Sequence, residues 1–292
     1  MKIAFIGLGK MGSAIAGNIA RRHFDLAVWN RSPEKMKPLL DLSAKGATSA
    51  RDAAQGRDVI ITSLMDDSSV LQTLEGENGI LAGMRPGSIH LCVTTISPAL
   101  ADDLAARHLG HGTRYVSGPV MGRPDVAAAG QLLTYLAGEA RAVATVIPVA
   151  EAFSRAVRVV SAKASDANIV KLGINYSIVS LLELMGEVYA FTEKNGIEAG
   201  ILKDFYQTVL AHPGLKQYAG NILERNFPAG GFAMSGGLKD VKLMLDAAAQ
   251  CGAPLKIGDI ILKKMETAIA EGMGERDWAA IYEITRREAG LN

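Results

Sequence analysis

The chain has 292 residues, of which 49% are apolar and 21% are charged. A chain of this length and apolar content can bury a sizeable core, which excludes intrinsic disorder and suggests about two domains. Lysine and arginine total 31 against 30 acidic residues, so the net charge of +1 argues against a nucleic-acid binder.

The composition also carries no sign of secretion or of membrane insertion. Cys92 and Cys251 are far apart and lack metal-ligand spacing, so we expect reduced thiols and a cytoplasmic location. No uninterrupted apolar run reaches the ~18 residues that suggest a membrane span. Residues 1–6 resemble a strand rather than a signal peptide.

The first half of the chain alternates short apolar strands with helical patterns. Strands are predicted at residues 2–6, 25–29, 58–64, 88–93, 115–116, 132–137 and 157–161. This alternation is typical of βαβ units around a parallel sheet that is buried on both faces. A first helix is predicted at 11–21, and Ser97 before Pro98 predicts another helix start with Ser97 as its cap. We therefore expect an α/β fold with a Rossmann-like, doubly wound sheet.

The second half contains only helical patterns. Residues 163–195 lack proline and predict one helix of about 30 residues, or ~45 Å at 1.5 Å per residue. Further helices are predicted at residues 200–210, 215–225, 237–251, 256–271 and 277–289, separated by glycines and prolines. The chain is thus predicted to divide into an α/β domain at 1–162 and an all-helical domain at 163–292.

A glycine-rich loop follows the first predicted strand. It comprises Gly7, Leu8, Gly9, Lys10, Met11 and Gly12. The glycines allow a tight turn, close approach of the backbone to a pyrophosphate, and close packing of a helix whose N-terminus faces the anion. Between a strand and a helix, this motif predicts a dinucleotide site rather than a glycine turn without a ligand.

The end of the second predicted strand indicates which dinucleotide binds. An NAD site usually has an acid here that accepts from the ribose 2′-hydroxyl, but this chain has Asn30, Arg31 and Ser32. Arg31 can pair with a 2′-phosphate, and its two neighbours can add hydrogen bonds. We therefore predict NADP as the cofactor. These residues can also simply begin the next helix with Ser32 as its cap, and the two interpretations are compatible.

One lysine interrupts an almost wholly apolar part of the long helix. Residues 167–186 are apolar nearly all round, so we expect this helix to be buried. Lys171 and Asn175 are four residues apart and share one helix face. A buried lysine can exchange protons near neutral pH. The alternative is a lysine that extends its amine to the surface, and the helix pattern alone favours that alternative.

Several motifs in order resemble those of the β-hydroxyacid dehydrogenases, a family that includes 3-hydroxyisobutyrate dehydrogenase and the glyoxylate/succinic semialdehyde reductases. The matching segments are residues 6–12, 30–32, 94–98, 117–124, 171–175 and 232–240, which span nearly the whole chain. The resemblance implies an NADP-dependent dehydrogenase or reductase acting on CH–OH groups. Hydride would pass between the nicotinamide and a small aldehyde, ketone or hydroxy acid.

The resemblance also implies roles for single residues. Lys171 is expected to be the general acid/base, and Asn175 to orient the lysine or the substrate. Thr95 would contact the nicotinamide side of the cofactor, and Lys239 would reach the cofactor from the helical domain. Two further residues, which follow a strand and would lie along the dinucleotide, are Leu64 and Met65.

The substrate segment departs from the family pattern. The family usually has D-A-P-V-S-G-G, whose serine and glycines bind a carboxylate, whereas this chain has Met121 and Arg123 at the serine and the last glycine. Arg123 either supplies an anion contact or is a solvated charge outside the site. A bulkier or less acidic aldehyde, ketone or imine is therefore an alternative substrate. The predicted substrate contacts are Ser117, Gly118, Met121, Gly122 and Arg123.

Two alternatives to the carbonyl chemistry remain. Lys171 argues against the chemistry of the related imine reductases, which generally have Asp or Tyr at this position. The other alternative is a non-catalytic NADP(H)-binding module. No metal is expected, because His108 and His111 lie beside glycines near a helix end, where a surface role is expected. A ~45 Å helix seldom buries itself against one small bundle, so we expect a homodimer or tetramer through the helical domain.

Overall fold

The computed structural model describes residues 1–194, 196–198, 200–209, 213–250, 252 and 255–291. Within it the chain forms two compact units, Met1–Lys171 and Leu172–Asn292. The predicted helix ends at residues 195, 210 and 251 lie outside the described residues, and so does Cys251. Cys92 is a free, buried thiol. The predicted domain boundary at 162 stays a prediction.

The first unit combines nine strands with eight helices, and a ninth helix begins in it. The strands are β1 (Lys2–Ile6), β2 (Asp25–Trp29), β3 (Lys45–Gly46), β4 (Val59–Thr62), β5 (Ile89–Cys92), β6 (Arg114–Ser117), β7 (Val120–Met121), β8 (Leu132–Gly138) and β9 (Ser154–Ser161). The helices are α1 (Lys10–Arg21), α2 (Lys37–Leu40), α3 (Ala50–Ala54), α4 (Asp67–Leu74), α5 (Ile80–Gly83), α6 (Pro98–Gly110), α7 (Pro124–Ala128), α8 (Ala140–Ala150) and α9 (Ala164–Lys194).

All nine strands belong to one sheet, in the order β3-β2-β1-β4-β5-β6-β8-β7, with β9 paired to β8. Strands β1 to β6 pair in parallel, whereas β8 runs antiparallel to β6 and β7. Alternate residues of β1 enter different cores: Ile3 and Phe5 pack on one face, and Ala4 and Ile6 on the other. The sheet is therefore buried on both faces, and the predicted doubly wound α/β fold is confirmed.

Local sequence signals account for most of these boundaries. Strands β1 and β2 have the predicted limits, whereas β4 and β5 end earlier than predicted, because their last predicted residues belong to loops. The hydroxyl of Ser97 accepts a hydrogen bond from the amide of Leu100, so its predicted role as a helix cap is confirmed. Strand β7 was not predicted, since two residues are too few for a periodic pattern.

The described residues of the second unit form helices and no strand. Besides the C-terminal part of α9, its helices are α10 (Gly200–Val209), α11 (Pro213–Leu223), α12 (Met234–Gln250), α13 (Lys256–Ala270) and α14 (Ile281–Glu288). Tyr189, Met265 and Trp278 are buried in its core. The last helix was predicted to start at residue 277, but a 3-10 turn precedes it, because the side chain of Asp277 accepts from the amide of Ala279.

Helix α9 contains a stretch, Ala164–Gly186, that is long and apolar enough to cross a membrane, with a mean hydropathy of 1.4. About half of its most apolar window, 44%, is buried inside the protein. The core helix of a soluble protein meets the same criteria, so this stretch is weak evidence for a membrane span. The expectation that no apolar run is this long holds only for uninterrupted runs, since Lys171 and Asn175 interrupt this one.

Candidate functional site

The glycine loop lies at the carboxyl end of β1, and its geometry requires glycine at two positions. Gly7 has a φ of +94°, and a Cβ there would lie 2.2 Å from the carbonyl oxygen of Ser63. A Cβ on Gly12 would lie 2.0 Å from the carbonyl oxygen of Gly7. Gly9 differs, because a Cβ there would meet nothing within 4 Å. The backbone at Gly9 therefore faces open space that a ligand can enter.

Helix α1 begins directly after this opening. Its cap is Gly9, which has no side chain to bond its first amides, and no acid lies in its first turn. The first amides of a helix carry a partial positive charge and bind phosphate groups. Lys10 is exposed and Met11 half-buried, whereas Leu8 is only 2% exposed. The loop fits a pyrophosphate, and Leu8 can offer its backbone rather than its side chain.

Asn30 joins the end of β2 to the glycine loop. Its Oδ1 accepts from the amide of Leu8 at 2.8 Å, and its Nδ2 donates to the carbonyl oxygen of Ser32 at 3.1 Å. One end of the amide thus holds the glycine loop, and the other holds the residues that follow β2. The sequence did not indicate this supporting role, because the two partners are separated by a whole helix.

Arg31 and Ser32 lie at the tip of β2. Arg31 is exposed and makes no hydrogen bond or ion pair within the described part of the chain. Ser32 precedes the 3-10 turn Pro33–Met36, but its hydroxyl makes no capping hydrogen bond. Ser32 is therefore the cap by position, as predicted, without a bond from its side chain, and a ligand can reach both side chains.

The remaining predicted cofactor residues of the first unit follow β4 and β5. Leu64 is half-buried and its amide donates to Oγ1 of Thr94 at 2.9 Å, whereas Met65 is 69% exposed. Thr95 is half-buried. Because β2, β1, β4 and β5 are adjacent and parallel, these loops and the glycine loop all lie along one edge of the sheet. Ligands of doubly wound sheets bind at such an edge.

The predicted substrate segment starts in the interior. Ser117 is 1% exposed, and its Oγ accepts a hydrogen bond from Nδ2 of Asn168 at 2.5 Å. A Cβ on Gly118 would lie 2.5 Å from a methyl group of Leu91, so this glycine is needed for packing. Gly122 is exposed, with a φ of +141°. Sequence reasoning missed Asn168, although it lies one helical turn before Lys171.

Lys171 is buried, with 7% of its surface exposed. Its Nζ donates to Sδ of Met121 at 3.1 Å. The alternative in which the amine extends to the surface is therefore wrong. A thioether is a weak acceptor, so a carbonyl or hydroxyl oxygen of a ligand can compete for this amine.

Arg123 is mostly covered, with 19% of its side chain exposed. Its Nε lies 3.8 Å from Oδ1 of Asp125, whose side chain is 69% exposed. The interpretation of Arg123 as a solvated charge does not fit this burial. Because Arg123 lies two residues after Met121, the alternative in which it contacts an anion of the substrate remains possible.

Asn175 and Lys239 belong to the second unit, where a single carboxylate holds both. Nδ2 of Asn175 donates to Oδ2 of Asp240 at 2.5 Å, and Nζ of Lys239 lies 2.7 Å from Oδ1 of Asp240. Asp240 is 1% exposed. The sequence analysis gave this acid no role, although it is the last residue of the matching segment 232–240 and directly follows Lys239.

His108 is buried rather than at the surface, which corrects the expectation, whereas His111 is exposed. His108 lies 2.9 Å from Nδ1 of His90, whose Nε2 lies 2.8 Å from Oγ1 of Thr62. Burial lowers the pKa of His108 to about 4 and the pKa of His90 well below its usual range. Among the described residues, no group of three or more His, Cys, Asp or Glu side chains could hold a metal ion.

Two family models match the chain. The NAD-binding domain of 6-phosphogluconate dehydrogenase matches residues 2–162, and the NAD-binding part of NADP-dependent 3-hydroxyisobutyrate dehydrogenase matches residues 165–285. The cofactor loops described above lie within the first match. The residues around Asp240 lie within the second.

Relatives of similar length align along the whole chain. The uncharacterized oxidoreductase YfjR of Bacillus subtilis is 37% identical over 98% of this chain and 100% of its own. The 3-sulfolactaldehyde reductase of Escherichia coli is 30% identical over 99% of this chain and 97% of its own. The crystal structure of 3-hydroxyisobutyrate dehydrogenase from Salmonella typhimurium has a TM-score of 0.86 at 23% identity, covering 97% of this chain and 99% of that one. This last likeness shows a shared fold.

Proposed function

This chain belongs to the β-hydroxyacid dehydrogenase family and is an oxidoreductase with a nicotinamide cofactor, and on that premise we propose that it is NADP-dependent and uses Lys171 as its general acid/base. Its substrate pair is a small aldehyde or ketone and the corresponding alcohol or hydroxy acid. The observation that carries this proposal is the buried amine of Lys171 beside the substrate segment, 3.1 Å from Met121.

The tip of β2 supports NADP as the cofactor. Arg31 is exposed, and no acid is present between Trp29 and Ser32 to repel a 2′-phosphate. A guanidinium binds a phosphate through two parallel hydrogen bonds. We assign that contact to Arg31, with the hydroxyl of Ser32 as a second donor and the first amides of α1 holding the pyrophosphate.

Lys171 handles the proton of the reaction. When bound, the cofactor supplies or takes up the hydride at the carbon of the substrate. In reduction Nζ of Lys171 gives a proton to the carbonyl oxygen, and in oxidation the neutral amine takes the proton of the hydroxyl group. Met121 keeps the amine beside the substrate segment but competes with an oxygen only weakly, because sulfur is a poor acceptor.

Arg123 is proposed to bind an anionic group of the substrate. Its guanidinium is mostly covered, and its ion pair with the exposed Asp125 spans 3.8 Å, which is longer than a hydrogen bond. A guanidinium binds a substrate carboxylate or sulfonate through charge-assisted hydrogen bonds. A relative that is 30% identical is named for a sulfonated aldehyde, which supports a carbonyl substrate that carries an anion.

The substitution Lys171→Ala tests the assignment. Turnover with NADPH should fall by about a hundredfold or more, the scale of general acid–base catalysis, while the Kd of NADPH measured by fluorescence titration stays the same. Lys242→Ala is the matched control, because Lys242 is an exposed lysine paired with Glu266 on another helix. Unchanged turnover in Lys171→Ala would refute the assignment.

A further inference from the structure

We propose that Asn168 is a positioning residue that sets the place of Lys171 against the substrate segment 117–123. This inference rests on the proposed function, because it acts through the proposed general acid/base. Asn168 lies in α9, is fully buried, and was not selected by any motif. Its effect on the reaction would be indirect.

Helix α9 meets the substrate segment at two points. Nδ2 of Asn168 donates to Oγ of Ser117 at 2.5 Å, where β6 ends. Four residues along that segment, Sδ of Met121 lies 3.1 Å from Nζ of Lys171. Residues three apart in a helix lie on one face, so the two contacts run side by side. The first contact therefore determines where the second can form.

The start of α9 is held by other groups. The amide of Ser165 donates to Oδ1 of Asp102 at 3.1 Å, and the hydroxyl of Ser161 donates to Oδ2 of Asp166 at 2.6 Å. These contacts remain if the amide of Asn168 is removed. Its loss should therefore shift the next helical turn, which carries Lys171, without releasing the helix.

The polar atoms of Asn168 are not all satisfied. Its Oδ1 is buried and has no hydrogen-bond partner among the described protein atoms. A buried acceptor in this state lowers the free energy of unfolding and offsets part of what the hydrogen bond to Ser117 contributes, whereas an apolar pair at positions 168 and 117 would leave no polar atom behind. An asparagine here is therefore poorly explained by stability, which agrees with a role in positioning.

The test uses Asn168→Leu and Ser117→Ala, which remove the same hydrogen bond from opposite sides. In each, kcat should fall by about ten- to a hundredfold, because displacing a catalytic group by about 1 Å has an effect of this size. The Kd of NADPH should not change, and the thermal midpoint of the double variant, which removes both buried partners, should equal or exceed that of the wild type. The double variant should be no worse than the poorer single variant, since both remove one contact.

Ser161→Ala is the control, because it removes a hydroxyl that anchors α9 away from Lys171, and it should keep the wild-type kcat. The positioning role is overturned if both single variants keep kcat within about twofold of the wild type. It is also overturned if kcat falls only together with NADPH binding and thermal stability. Lys171→Ala, assayed alongside, separates the two proposals: if it alone loses turnover, only the positioning role fails. If it keeps turnover, the proposed function fails and this inference fails with it.

Discussion

Asn30 and Arg31 are neighbours with different tasks at the cofactor edge. The amide of Asn30 is engaged at both ends by the glycine loop and by Ser32, so it supports the loop from below. Arg31 is exposed at the same strand end. Choice between the two dinucleotides therefore falls mainly to Arg31 under the proposal, because charge at this position attracts or repels a 2′-phosphate.

The substitution Arg31→Ala should weaken the binding of NADPH and leave the binding of NADH unchanged. Loss of a charge-assisted phosphate contact is expected to raise the KM for NADPH by about tenfold, which corresponds to ~1.4 kcal/mol. The KM for NADH should stay the same, since NADH has no 2′-phosphate. Steady-state kinetics with both cofactors make the comparison. Arg22→Ala serves as control, because Arg22 is an exposed arginine just past the other end of α1; equal NADPH values for both variants would contradict the assignment.

Sequence reasoning identified residue types in this site better than their surroundings. The G-x-G-x-x-G spacing predicted the glycine loop, because only glycine fits at Gly7 and Gly12. The burial of Lys171 could not be predicted from its helix alone, since the amine contacts Met121, a residue 50 positions away. Asn168 and Asp240 were missed for the same reason, as each acts on a partner that is distant in sequence.

A network of buried polar groups links strands β4 and β5 to helix α6. Oγ1 of Thr113 donates to the carbonyl oxygen of His108 at 3.0 Å, so it must accept from Nδ1 of the same ring at 2.8 Å. Nε2 of His108 then accepts from Nδ1 of His90, and Nε2 of His90 accepts from Thr62. These four hydrogen bonds assign every polar proton of the network, and both imidazole rings are neutral. An added proton on Nε2 of His108 would face the Nδ1–H group of His90, and one on Nε2 of His90 would face the hydroxyl of Thr62, which now donates to that nitrogen.

The two buried histidines of this network make the free energy of unfolding sensitive to acid. The folded pKa of His108 is about 4 and burial holds that of His90 well below its usual range, whereas the unfolded value is about 6.5. Between about pH 6.5 and 4 the unfolded chain binds more protons, so the free energy of unfolding falls as the pH falls. For His108 the loss across this window is on the order of 3 kcal/mol.

Urea denaturation between pH 7.5 and 4.5 measures this dependence. His108→Gln cannot be protonated in this range, so its free energy of unfolding should decline less steeply than that of the wild type as the pH falls. His111→Gln, which changes the exposed neighbour, should retain most of the wild-type slope, because burial, the larger cause of the low pKa of His108, is untouched. Equal slopes for the wild type and His108→Gln would show that the buried pair does not govern acid stability.

Elements were predicted well where one local signal decides them. Glycine, proline and the Ser97 cap mark the ends of helices, and apolar runs mark the buried strands β1 and β2. Elements that depend on distant partners were not found. Strand β7 exists because Val120 pairs with Thr134 in β8, and two residues of sequence carry no period that could reveal this.

For the whole chain, length and composition predicted about two domains and a sizeable buried core, and the motifs predicted the family. The fold class followed because alternating strands and helices have few stable arrangements. The expected homodimer or tetramer stays a prediction. Large apolar side chains of the second unit are at least half exposed and support it, namely Leu184, Ile197, Ile201, Phe205, Ile257 and Ile260; light scattering of the purified chain would measure the oligomeric state.

We propose above that the protein is an NADP-dependent carbonyl oxidoreductase. The most direct test of this claim is the oxidation of NADPH and NADH, followed by absorbance, with semialdehydes, 2-oxo acids, neutral ketones and cyclic imines. We predict turnover with at least one carbonyl class and a kcat/KM about tenfold or more higher with NADPH than with NADH. Tight NADPH binding without turnover of any carbonyl compound, turnover of cyclic imines alone, or a preference for NADH would contradict the claim.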